Sequence, residues 1–110
     1  MPLEKWSDRV VVAHLAGDAP IADDLDAAER MVSMTPMDAV LDFGGVNFLN
    51  STDLARLIKL RKKIAAQEAR LLLCNIPAQL WSTFLVTGLD KIFTFTDSVS
   101  TALASLQIKS

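Results

Sequence analysis

A chain of 110 residues with a formal charge of −2 has the length of one domain, 1–110, and should bury about 65% of its extended-chain surface, enough for a real core. Its hydrophobic content of 51% and charged content of 22% fit an ordinary globular protein and exclude a disordered or fibrous one. The slight acidity gives no general case for nucleic acid or membrane binding. No charged-then-apolar leader opens the chain and no run reaches the ~18–20 apolar residues that span a bilayer, so the expected location is the cytoplasm.

Residues 1–7 are weakly patterned and supply at most a short edge strand. Residues 10–15, VVVAHL, are apolar and β-branched and predict a strand. Val10, Val12 and His14 share one face, and Val11, Ala13 and Leu15 the other. His14 is the one histidine, and spacing offers it neither a second metal ligand nor a nucleophile, so it reads as a strand-surface or partly buried residue. Gly17-Asp18-Ala19-Pro20 is a turn. Residues 22–34 place Leu25, Ala28, Met31 and Val32 at helical spacing, with Asp23, Asp24, Asp26 and Glu29 early, where acids suit a helix. Pro36 ends that helix. Met31, Met34 and Met37 read as gap-filling near the core rather than as a functional stripe.

Residues 39–66 are the stretch on which the chain turns. Val40 and Leu41 lead through Asp42, Phe43, Gly44 and Gly45 to Val46, Phe48 and Leu49, a buried strand followed by the polar cluster Asn50-Ser51-Thr52-Asp53. Side chains of these four types accept hydrogen bonds from the unpaired N–H groups of a first helical turn. Ser51 then sits hydroxyl-outward at a helix N-terminus, where backbone donors and the dipole favour an anion such as phosphate. The helix is expected over about residues 52–67, with Leu54, Leu57, Ile58, Ile64 and Ala65 inward. Arg56, Lys59, Arg61, Lys62 and Lys63 crowd the remainder, and two readings stay open: a solvated basic face, or a surface that attracts an acidic protein. No aromatics interleave with these charges, which counts against nucleic acid.

Residues 70–75 predict a buried strand containing Cys74, a lone cysteine that reads as a small core residue. Ile76-Pro77 starts another helix with Leu80, Phe84 and Leu85 inward, Trp81 partly exposed and Gly88 as its left-handed terminator. Residues 92–95 predict a short strand. Asp97 is the expected cap of a last helix in which Val99, Ala102, Leu103 and Leu106 follow the i, i+3, i+4, i+7 rule. Strands alternating with helices argue for an α/β domain, a mostly parallel sheet of about five strands covered by about four helices. No catalytic base lies near Ser51 in sequence, and no phosphate loop or metal cluster appears. The chain therefore reads as a non-enzyme without a cofactor, its helix-start serine better suited as another protein's substrate.

Phe48-Leu49-Asn50-Ser51-Thr52-Asp53-Leu54 resembles the F-[ILM]-D-S-[ST]-G-L hallmark of STAS domains, the bacterial anti-sigma factor antagonists. The early VVVAHLAGD segment, Leu85-Val86-Thr87-Gly88-Leu89, Asp90-Lys91-Ile92-Phe93 and the final helix with Ala102 and Leu103 extend the likeness over roughly residues 3–107. It implies a STAS fold with a mixed sheet. It further implies a partner switch: unphosphorylated antagonist binds an anti-sigma factor that is also a GHKL-type serine kinase, freeing a sigma factor. Phosphorylation at Ser51, with Thr52 as the second choice, breaks the complex, and a PP2C-type phosphatase restores it. The kinase would supply ATP and Mg²⁺, and Asn50, Ser51, Thr52, Asp53, Arg56 and Lys59 would form the docking surface. Asn50 stands for the usual Asp, Asp53 for the usual Gly, and Pro20 where a loop Asp is common near the phosphorylated hydroxyl. Asp53 can disfavour phosphate as a like charge, imitate it, or simply complement the helix dipole. These departures keep a second reading open, an unphosphorylated scaffold or partner subunit of a signalling complex or of a lipid-transport ABC ATPase. Nucleotide binding near Gly44-Gly45 and Ser51-Thr52 is a weaker third.

Overall fold

The computed structural model describes residues 3–16 and 20–108, so the expected turn at Gly17-Asp18-Ala19 lies outside the described residues. Five strands and four α-helices follow in the order β1 (Leu3–Ser7), β2 (Val10–Ala16), α1 (Ile21–Met34), β3 (Asp38–Gly45), α2 (Ser51–Ala66), β4 (Leu71–Cys74), α3 (Ala78–Thr87), β5 (Thr94–Thr96) and α4 (Val99–Ile108). A short 3₁₀ turn, Leu89–Lys91, links α3 to β5. The sheet runs β1-β2-β3-β4-β5. β1 is antiparallel to β2 and every later pair is parallel, with Val12, Val40, Leu72 and Thr94 side by side across the register.

This order settles where the helices go. Parallel crossovers are right-handed almost without exception, and here successive strands add on the same side. Helices α1, α2 and α3 therefore fall on one face, leaving the other to α4. The packing agrees. Val11, Ala13, Leu41, Phe43 and Leu73 bury against Leu25, Val32, Leu57, Leu60, Ile64, Leu80 and Phe84, while Val12, Val40, Leu72 and Cys74 bury against Ala102 and Leu106. Strands covered on both faces must be apolar on both, which is why VVVA and LLLC show no clean alternation. Cys74 is fully buried, and burial pushes its thiol up to about 12, in keeping with a core residue.

Several expected positions move. α2 buries Leu60, and Ala65 is exposed; Leu54 and Ile58 are half-buried. Ridge geometry explains this, since Leu57, Leu60 and Ile64 rise along one line of i, i+3 and i+7. Leu85 turns outward, 53% exposed, because Leu80 and Phe84 already define α3's inward line. Met37 fills the core and Met31 packs at its edge, whereas Met34 at the end of α1 is exposed. β5 begins only at Thr94, after the 3₁₀ turn. Ser98, not Asp97, caps α4: its Oγ accepts from the Thr101 N–H at 3.1 Å and its carbonyl from the Ala102 N–H. The expectations for Gly88 and Trp81 hold. Gly88 has φ 76°, in the left-handed region, and Trp81 is half-exposed, edge-on to Phe95 at 4.7 Å.

Candidate functional site

Ser51 stands at the carboxyl end of β3, the middle strand, where α/β sheets commonly place their working residues. The strand stops at Gly45 rather than running to Leu49. Val46 and Leu49 turn inward and anchor the loop, while Phe48 between them is 71% exposed. An exposed phenyl ring therefore lies three residues from Ser51, where a buried one was expected.

The helix start is held by a capping box. Asn50 Oδ1 accepts from the Asp53 N–H at 2.8 Å, and Asp53 Oδ2 accepts from the Asn50 N–H at 3.1 Å. The two departures from the common sequence pattern are thus partners of one another. Asp53 is 8% exposed, its charge turned back onto the backbone. With the Leu54 N–H given to the Asn50 carbonyl, the amides of Ser51 and Thr52 remain the open donors of the first turn. Both side chains are exposed. The arrangement can present a hydroxyl to a second protein and hold an anion placed on it. Loss of either cap partner should show in stability: Asn50→Ala and Asp53→Ala are each expected to cost about 1 kcal/mol in urea denaturation. The double variant should cost less than their sum, because each removes the other's partner.

The basic residues of α2 are largely engaged within the molecule. Arg56 Nη1 donates to both oxygens of Asp26, at 2.6 and 2.7 Å, and Lys59 Nζ lies 3.6 Å from Glu29. Arg61 Nε donates to the Ile92 carbonyl at 3.0 Å. The early acids of α1, which suit its own dipole, also neutralise the facing flank of α2. Arg56 and Lys59 thus lie on the flank below Ser51, with their charges paired.

A second polar cluster at this end of the sheet was invisible in sequence. His14 on β2 lies between two carboxylates, its Nδ1 2.9 Å from Asp42 Oδ2 and its Nε2 3.1 Å from Glu4 Oε1. Asp42 Oδ1 accepts from the Gly44 N–H at 2.9 Å and from Asn75 Nδ2 at 3.0 Å. A Cβ on Gly44 would stand 3.2 Å from that same oxygen, so the end of β3 is shaped around Asp42. Its partners lie 28 and 33 residues away, and only pairing of β2 with β3 and β3 with β4 brings them together. The only available signal was His14 on the same strand face as Val10 and Val12, with Asp42 one strand over.

The hydrogen bond to Asp42 raises the His14 imidazole above its ordinary value against a smaller opposing effect of burial, and Glu4 adds to the rise. For Asp42, burial pushes upward, but the hydrogen bonds from Asn75, His14 and Gly44 together outweigh it and hold the carboxyl below its usual range. The two signs give two limbs. His14 contributes stability that is complete below its unfolded value near 6.5 and lost as pH rises through the folded one. Asp42 contributes stability present above 3.8 and lost as pH falls through its lowered value. The His14 contribution to unfolding free energy should therefore decline as pH rises above about 6.5, and His14→Gln should flatten that limb in denaturation series. The slope is shallow because the ring is half-exposed.

Among the described residues, no group of three or more histidine, cysteine, aspartate or glutamate side chains could hold a metal ion, and no helix is long and apolar enough to cross a membrane. The family profile described as "STAS domain" matches residues 7–102. Solved structures of similar fold include the anti-sigma factor antagonist SpoIIAA in its unphosphorylated form (TM-score 0.81, 16% identity, 96% of this chain and 94% of that one). The Bacillus cell fate determinant SpoIIAA in its phosphorylated form also matches (TM-score 0.71, 16% identity, 94% and 96% covered). A third is a putative anti-sigma factor antagonist from Thermotoga maritima (TM-score 0.76, 16% identity, 96% and 93% covered). No curated protein matches the chain in sequence.

Proposed function

This chain belongs to the STAS domain family, and on that footing we propose that it acts as an anti-sigma factor antagonist, a non-enzymatic partner switch set by phosphorylation of Ser51. The observation that carries the reading is an exposed serine on the first turn of α2 whose hydroxyl has no capping duty, since Asn50 and Asp53 perform it. Such a hydroxyl is open to another protein's active site. A GHKL-type kinase that doubles as anti-sigma factor would supply ATP and Mg²⁺. The Ser51 oxygen would take the γ-phosphoryl group, release its proton and leave ADP, and a PP2C-type phosphatase would hydrolyse the ester. The added charge of about −1.5 to −2 falls beside Phe48, in the centre of the surface the partner would cover, and there it favours dissociation. Thr52 is the second acceptor. Docking would be led by Asn50, Ser51, Thr52 and Phe48, while Arg56 and Lys59 would hold the flank through α1 and Asp53 would hold the helix start. The chain itself would need no cofactor, and its work with a sigma factor's regulator would place it in the cytoplasm.

A second reading, an unphosphorylated STAS scaffold or partner subunit of a lipid-transport ATPase, draws on Asp53. Its buried carboxylate lies two residues from the acceptor and opposes a second negative charge there. Intact-mass analysis of the protein purified from its own cells, beside Ser51→Ala, separates the two. A phosphate-sized increment absent from the variant is the expected result. An unmodified mass in every growth condition would sink the switch and leave the scaffold.

A further inference from the structure

Both ring nitrogens of His14 lie within hydrogen-bond distance of a carboxylate, Asp42 at 2.9 Å and Glu4 at 3.1 Å. Ionised carboxylates only accept, so both contacts are satisfied only while the ring is doubly protonated. A neutral ring keeps a single N–H, and its other nitrogen then turns a lone pair toward a carboxylate oxygen. One of the two ties must fail.

Solvation decides which. The Glu4 side chain is 62% exposed, and among the described residues its carboxylate bonds only to His14. Asp42 is 19% exposed, and His14 is the donor to its Oδ2, while Gly44 and Asn75 hold Oδ1. Water replaces the lost donor at Glu4 at little cost, whereas a half-buried oxygen of Asp42 would be left unpaired. The remaining N–H therefore stays on Nδ1, and Nε2 faces Glu4 as a lone pair. No other charge takes over there. β4 and α4, which share this face of the sheet, carry no charged side chain. Lys5 points to the opposite face of β1 and lies 3.8 Å from Asp8. Asp38 is at the far end of β3, Asp97 follows β5 three strands away, and α1 covers the other face.

β1 is built to respond. It is five residues long, paired on one side only, and irregular in register between Lys5 and Ser7. Glu4 pairs with Val12, which makes His14 its diagonal neighbour across the two strands. Short edge segments open at the low end of the local-unfolding scale, where a tie of ion-pair strength changes the open population. We propose that Glu4, His14 and Asp42 form a proton-gated tie at the sheet edge: the imidazolium fastens β1 to the inner strands, and loss of its proton frees β1 at Glu4 while Asp42 and the end of β3 stay held. The two carboxylates raise the His14 titration above its ordinary value, which puts the change above about pH 6.5. A freed β1 uncovers the outer edge of β2, whose backbone groups can then accept another strand. The device stands whether or not Ser51 is ever phosphorylated.

The test is NMR of the isotope-labelled full chain from about pH 5 to 9. The His14 ring protons give the midpoint, and amide exchange, corrected for the intrinsic rate at each pH, gives the opening. Protection of the β1 amides bonded to β2 should fall by about two- to fivefold through the His14 titration, as for loss of one exposed ion pair, while β3 and β4 amides keep theirs. In Glu4→Gln the carboxamide donates to the neutral Nε2, and β1 protection should hold through the same titration. His14→Gln should make β1 protection independent of pH. Flat β1 protection in the native chain while His14 titrates, an undiminished loss in Glu4→Gln, or a loss that appears first at Gly44 and Asn75 would each overturn the proposal.

Discussion

Phe84→Ala should lower the unfolding free energy by about 3–5 kcal/mol, a large part of the ~5–15 kcal/mol that holds a small domain together. The ring is fully buried and sits at the centre of an aromatic cluster. It meets Phe43 at 6.2 Å, Phe93 at 6.3 Å and Phe95 at 5.3 Å, each near edge-to-face, and Trp81 at 6.2 Å. Pairs of this geometry contribute beyond their area, and neighbours belonging to β3, α3, β5 and the turn before it cannot all collapse into one hole. Leu85→Ala is the control. One position along the same helix and 53% exposed, it should cost less than about 0.5 kcal/mol. Urea denaturation reads both as midpoint shifts at constant slope. A Leu85→Ala cost equal to that of Phe84→Ala would mean that α3 is rotated from the orientation described.

Ser51→Glu should separate stability from binding by moving them in opposite directions. At the first position of α2 the helix dipole favours an acidic side chain. With the Asp53 carboxylate engaged by the Asn50 N–H, this outweighs the like charge two residues on, so unfolding free energy should rise by about 0.3–1 kcal/mol. If the proposed complex with an anti-sigma factor kinase forms, the same charge is desolvated at its interface, and affinity should fall by about a hundredfold or more. Ser51→Ala should bind as the native chain does and resist release by ATP. Thermal unfolding and titration calorimetry on the three proteins read both quantities. A Ser51→Glu chain that is more stable yet binds like Ser51→Ala would remove the phosphate-controlled switch and favour the constitutive scaffold.

The sequence by itself determined the class of fold and the address of the candidate site. Periodicity is a local property, so VVVAHL, AVLDF, LLLC and the helical spacing of Leu57 with Ile64 and of Ala102 with Leu106 read correctly as strands and helices. Capping chemistry is local too, and Asn50-Ser51-Thr52-Asp53 announced the start of α2 without help from distant residues. The box itself, in which Asn50 and Asp53 serve each other, required only knowing that both sit on one turn.

Tertiary structure decided what local pattern leaves degenerate. An apolar residue between two others can turn either way, and only packing showed Phe48 and Leu85 to be outside and Leu60 inside. The charges of α2 looked like a free basic face because sequence distance hid α1; right-handed crossovers set the two helices side by side on one face, and Asp26 and Glu29 then met Arg56 and Lys59. His14 read as solitary for the same reason. Its partners come from β1 and β3, and a hydrogen bond between strands depends on register, which no single strand carries.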